Sequence, residues 1–135
     1  MEDYILREIN KIGELIAALL DKIGILKRSG DSERIRQTAK TELLDNLDLD
    51  IEALLAAENF VDTLAGEYGF GDEELEKFAE LLFDLVAASE DRNERLRLAT
   101  GIGAIYSHLD ARKAPASLNR YYILKDLDKY IKELQ

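Results

Sequence analysis

No cysteine occurs in this chain of 135 residues. A disulfide framework and a zinc–thiolate centre are therefore both excluded. A reducing cytoplasm is the simplest home for such a composition. Proline appears once, and glycine only eight times. Valine is scarce, and nowhere do apolar and polar residues alternate over a strand's length between turn residues. A β-sheet thus lacks its raw material. No apolar run approaches the ~20 residues that span a bilayer. The opening Met1-Glu2-Asp3-Tyr4 is acidic where a secretory leader would be basic, which again points to the cytoplasm. His108 is the single histidine, so a two-histidine metal site within the chain is incomplete. None of the serines or threonines stands in a nucleophile elbow.

Ala, Leu, Glu, Lys and Arg dominate what is present, and these are helix formers. The reading is all-α, in one domain over residues 1–135, a length that buries a real core without metal or disulfide. The net charge of −10 is unevenly spread. Residues 1–40 carry +1, residues 41–91 carry −15 with Lys77 as their one cation, and residues 92–135 carry +4. An acidic stretch of that size repels a phosphate backbone, so nucleic acid is not an expected partner. It leaves room for a basic protein partner, although basic end helices beside acidic middle ones would partly neutralise it.

The most regular pattern lies in the first helix, about 2–27. Ile5, Ile9, Ile12, Ile16, Leu19, Ile23 and Leu26 fall at alternating steps of four and three, which a 3.6-residue helix stacks into one stripe. The preferred reading is a core helix. The other use of the same stripe is a homodimer seam through Ile5, Ile9, Ile12 and Ile16. Gly30 and Asp31 then read as a helix stop followed by a cap, and Ile35, Ala39 and Leu43 form the inner line of a second helix to about residue 46. Together these make a hairpin over about 5–46.

Asp45, Asp48, Asp50 and Glu52 do not meet the calcium-loop pattern, since Asp50 stands where a glycine and Ala56 where a glutamate would be needed. They read as a connection with Asp48 or Asp50 capping the next segment, about 50–68. That segment is one helix, or two if it breaks near Ala57-Glu58-Asn59. Gly66, Gly69 and Gly71 follow a helix rather than a strand and precede no Lys-Ser/Thr pair, so they mark a stop and not a phosphate loop.

A second hairpin is read over about 72–109. Its first helix, capped by Asp72, is apolar nearly all round through Leu75, Phe78, Ala79, Leu81, Leu82, Phe83, Leu85 and Val86, which places it in the middle of the domain. Asp91 and Glu94 have the spacing of a capping box for the next helix. There Leu96, Ala99, Gly103, Tyr106 and Leu109 line one face, and Gly101 and Gly103 mark a close approach or, alternatively, room for a ligand beside His108. Pro115 ends that helix, and Ser117 caps a last one over about 117–134 with Leu124, Leu127, Ile131 and Leu134 in step.

Two short runs echo each other. Ser32-Glu33-Arg34-Ile35-Arg36 resembles Asn93-Glu94-Arg95-Leu96-Arg97, which fits two copies of one hairpin stacked as an α-solenoid. The Gly30-Asp31 turn resembles the mid-repeat turn of tetratricopeptide proteins. Asp3-Tyr4-Ile5, Gly30-Asp31, Leu47-Asp48-Leu49-Asp50 and the leucine-rich run 75–85 resemble a bacterial family of small, tetratricopeptide-like helical proteins. That resemblance covers most of the chain and implies stacked antiparallel hairpins, a short solenoid or right-handed superhelix. It implies no activity. Ile35 and Glu42 stand where the repeat expects small alanines.

The expected function is a non-enzymatic protein–protein interaction or scaffold module that uses no cofactor and no metal. Tyr106, Arg120, Tyr121 and Tyr122 are the candidate contacts, because aromatic and arginine side chains dominate binding hot spots. The alternative is a small-ligand or regulatory protein with a pocket near Gly101, Gly103 and His108.

Overall fold

The computed structural model describes the backbone of residues 2–134 and the side chains of residues 11–132. Among the described residues seven helices follow one another: α1 (Glu2–Ser29), α2 (Ser32–Leu47), α3 (Ile51–Ala56), α4 (Phe60–Gly66), α5 (Asp72–Ala88), α6 (Arg92–Ala111) and α7 (Leu118–Leu134). No strand occurs among the described residues. The fold is all-α, and the segment between Asp50 and Gly66 is two short helices rather than one. The break falls at Ala57, whose extended backbone (φ −81°, ψ 137°) cannot continue a helix.

The capping chemistry fixes where helices begin. Asp31 accepts the Arg34 amide at 3.1 Å, and Asp50 accepts the amides of Glu52 and Ala53 at 3.1 and 3.3 Å. Asp91 accepts those of Asn93 and Glu94 at 2.8 and 3.1 Å. Ser117 Oγ accepts the Arg120 amide at 3.0 Å. Each bond satisfies a donor that a helix start leaves open. Asp72 does not cap α5. Gly71 holds the cap position, and Asp72 instead accepts Arg112 Nε at 2.8 Å.

Two helix ends close alike. Asp48 (φ 54°) and Gly69 (φ 73°) turn left-handed, and the next residue's amide reaches back to a helical carbonyl, Leu49 to Leu43 at 3.2 Å and Phe70 to Leu64 at 3.0 Å. Leu49 and Phe70 are thereby driven into the core, although neither sits in a helix. The Tyr68 hydroxyl donates to the Asp48 carbonyl at 3.1 Å and ties the two closures together.

α5 is the hub, packed against α1, α2, α6 and α7. Leu75, Phe78, Ala79, Leu81, Leu82, Leu85 and Val86 are all buried on it, so the all-round apolar pattern does place it centrally. A fully buried leucine or phenylalanine contributes about 1.5–3 kcal/mol, and among the described side chains no other helix collects so many. Ile12, Ile16, Leu19 and Ile23 of α1 and Ile35, Ala39 and Leu43 of α2 bury the expected stripes.

Two expected faces are rotated. On α6, Leu96 is 49% exposed, and Leu98, Ile102 and Ile105 join Ala99, Tyr106 and Leu109 inside. On α7, Leu127 is buried as expected, but Leu124 is 43% exposed and Ile123 is buried in its place. Leu134 lies outside the described side chains. The two runs that echo each other in sequence therefore do not occupy equivalent positions. Ile35 is buried where Leu96 is wet, because the caps Asp31 and Asp91 place the two runs one residue out of step.

The paired glycines of α6 differ. A Cβ on Gly101 would stand 2.9 Å from Leu55 Cδ2, 3.4 Å from Phe60 Cζ and 3.5 Å from Leu82 Cδ1. This is the close approach read from the sequence, and it seats α3 and α4 on α6. Gly103 faces open space, with nothing within 4 Å of such an atom, so no neighbour requires it. Gly103→Ala should accordingly stabilise the protein by about 0.5–1 kcal/mol through helix propensity alone. Gly101→Ala should lose that gain to the displacement of Leu55, and urea unfolding of the two variants measures the difference.

Candidate functional site

α1 and α7 flank α5 on one side and leave a groove between them. It is a shallow trough of about 350 Å³, lined by Leu20 of α1, by Glu80, Phe83 and Asp84 of α5, and by Asn119, Tyr122, Ile123 and Asp126 of α7. Its floor is apolar and its walls carry three carboxylates. Lys27 bonds Asp84, and Asn119 bonds Glu80. Burial pushes the Asp84 carboxyl above its ordinary 3.8, and the bond and charge of Lys27 pull it part of the way back. Asp84 is thus a carboxylate whose ionisation a second cation would favour. Phe83 meets Tyr130 edge to face at 6.2 Å, which steadies the α7 wall, and Arg95 stacks over Tyr130 at 5.7 Å.

The four side chains singled out from the sequence divide into two pairs. Tyr121 and Tyr122 are 62% and 54% exposed and contact each other edge to face at 5.6 Å. Tyr122 lines the groove, and Leu118, 69% exposed, lies one turn before it on the same face of α7. Tyr106 and Arg120 are each 3% exposed and are not a surface at all. They belong to a buried clamp that attaches α7. Arg120 Nη2 donates to Glu76 Oε1 at 2.7 Å and Nε to the same carboxylate at 3.1 and 3.3 Å. Nη1 donates to Asp110 at 2.8 Å. The guanidinium lies 5.2 Å from the centre of the Tyr106 ring. One side chain of α7 thus binds α5 and the end of α6 at once.

The Glu76 hydrogen bond, above all, raises the Arg120 pKa and holds the guanidinium charged. Burial, with Glu76 and Glu80 nearby, pushes the Tyr106 phenol well above its ordinary value, so it stays protonated. Its hydroxyl is buried without a hydrogen-bond partner. The phenol serves as a ring beneath Arg120.

The homodimer seam loses half its members. Ile12 and Ile16, 8% and 0% exposed, are spent inside the chain's own core. The side chains of Ile5 and Ile9 lie outside the described residues. Gly101 is packed, Gly103 is open and His108 is half-buried; none of them lines the pockets described for this fold. Among the described residues no group of three metal-ligating side chains converges, and no helix is long and apolar enough to cross a membrane.

The groove itself was not read from the sequence. Its acidic members Glu80, Asp84 and Asp126 look like any solvated charge until α1 and α7 are set on either side of α5. A lone Tyr122 was the legible part. Comparison of the chain with family models, with curated proteins and with solved structures finds no match in any of the three.

The clamp generates a direct expectation. Arg120 is buried, but its partners Glu76 and Asp110 keep 20% and 70% of their side-chain surface in water, so the charges its removal leaves behind stay partly solvated. Arg120→Ala should cost about 1.5–3 kcal/mol, the range for hydrogen bonds to charged groups. Arg120→Lys should restore only part of it, since an ammonium cannot hold Glu76 and Asp110 with a planar fork. Denaturant unfolding gives the totals. Hydrogen exchange should show the α7 amides losing protection first.

Proposed function

We propose that this protein is a non-enzymatic interaction module that receives a basic segment of another protein in the groove between α1 and α7. The observation that carries the reading is the groove's chemistry. Exposed aromatic surface from Tyr122, with Tyr121 beside it, stands against the carboxylates of Glu80, Asp84 and Asp126 over an apolar floor of Leu20, Phe83 and Ile123. Aromatic anchors that a partner withdraws from water supply affinity, and complementary charge supplies rate and choice of partner. The excess of acid across residues 41–91 adds a long-range field of the same sign.

The arrangement of helices supports a tetratricopeptide-like solenoid as part of this reading. α1, α5 and α7 would form an inner row and α2 and α6 an outer one, with α3 and α4 wedged between the outer pair. Packing of α1 on α5 and of α5 on α7, with α2 also on α5 and α6 also on α7, is the neighbour order expected of such a stack. The groove then lies along the inner row, where a solenoid offers its concave face. The resemblance to the bacterial tetratricopeptide-like family points the same way. Absence of cysteine and a single histidine fit a cytoplasmic, non-catalytic protein.

A synthetic peptide of alternating Lys and Leu, and the same peptide with Glu for Lys, test the reading by NMR titration. The basic peptide should shift the amides of Leu20, Phe83, Tyr122 and Ile123, and the acidic one should not. Tyr122→Ala should weaken the basic peptide about tenfold. Equal binding of the two peptides, or shifts confined to other faces, would end the proposal.

Binding should also depend on acid in a defined direction. The raised Asp84 carboxyl is neutral at lower pH and charged at higher pH, so affinity for a cation falls as pH drops through a value above 3.8. Folding is linked with the opposite sign. A carboxyl raised in the folded state favours folding most below its unfolded pKa, and that contribution is lost as pH rises through the folded one. Titration of the basic peptide at several pH values, with Asp84→Asn alongside, should show the acid-side loss in the parent and less of it in the variant.

A further inference from the structure

A second concavity opens between α2, α3, α5 and α6, and it shares no lining residue with the groove. It holds about 310 Å³, the lower end of the range in which small molecules are bound. Its floor is apolar, from Ile51 and Leu55 of α3, Leu85 of α5 and Leu98 of α6. The contact of Leu55 with the bare Gly101 backbone fixes one wall.

The rim carries cations and carboxylates in equal number, but they are not equally engaged. Lys40 is bonded to Glu52. Arg36 is held by Glu33 at 3.1 Å and by Glu94 at 2.9 Å. The Asp91 carboxylate receives two backbone amides at the start of α6. Each carboxylate of the rim is thus already answered. Arg97 is not: among the described residues no acceptor holds its guanidinium. Arg36 Nε is likewise buried without an acceptor. What the rim has left to offer is donors and positive charge.

We propose that this pocket binds a small monocarboxylate with a short apolar tail. The carboxylate takes the fork of Arg97, where planar guanidinium and carboxylate match in two parallel hydrogen bonds. The tail lies over Leu55, Leu85 and Leu98 and is withdrawn from water. Apolar area supplies affinity, and Arg97 supplies the choice of head group.

Octanoate is the probe, with 1-octanol and octylammonium as controls of equal tail length. Titration into the labelled protein should give saturable shifts at residues 51–55 and 94–98. Octanol should bind at least about tenfold more weakly, the loss expected for one charge-assisted hydrogen-bonding partner. Arg97→Gln should weaken octanoate by a similar factor and leave octanol unaffected. Its side chain is exposed, so the fold does not depend on it. Tyr122→Ala should leave octanoate binding unchanged, which separates this site from the groove. The proposal is overturned if octanol or octylammonium binds as tightly as octanoate. It is equally overturned if Arg97→Gln has no effect, or if millimolar octanoate produces no saturable shift.

Discussion

A helix with apolar residues on every side cannot rest at a surface, and that constraint organises this molecule. α5 must be covered on each flank, so α1, α2, α6 and α7 are all recruited to it. Each recruited helix needs only a stripe facing inward, and all four carry polar residues elsewhere. The short helices α3 and α4 do not serve α5 in the same way. They fill the space beside α6, where a missing side chain at Gly101 lets Leu55 and Phe60 come close.

Apolar burial decides that α7 packs, but not where it stops along α5. The Arg120 clamp answers that. A hydrophobic stripe tolerates sliding by a turn, whereas a guanidinium shared by Glu76 and Asp110 fits one register only. The clamp also determines the groove, because Tyr122, Ile123 and Asp126 stand opposite Glu80 and Phe83 only in that register. A buried charge can in this way hold a surface groove in shape.

Periodicity made the helices legible, and local chemistry made their ends legible. Asp31, Asp50, Asp91 and Ser117 cap as their residue types require. Periodicity was weaker at deciding which of two neighbouring lines faces inward. Leu96 and Leu124 lost to Leu98 and Ile123, because the docking partner and the cap, not the residue's own hydrophobicity, set the rotation of the helix. Leu49 and Phe70 were missed as core because they follow a left-handed residue, outside any helical period. Arginine beside tyrosine looked like exposed recognition chemistry in Tyr106 and Arg120. The acids that bury Arg120 lie far off in sequence, at Glu76, or across the Pro115 turn, at Asp110, and only the fold brings them together.

The place of the hub late in the chain has a consequence for how the protein is made. The apolar stripe of α1 is complete once Ser29 has been synthesised, yet its principal cover, α5, begins only at Asp72. At about 5–20 residues per second, translation leaves that stripe waiting for seconds, with α2 as its only shelter. Nascent chains stalled between α4 and α5 should therefore be the ones that chaperones grasp, and a pause there would be the costliest place for the ribosome to hesitate.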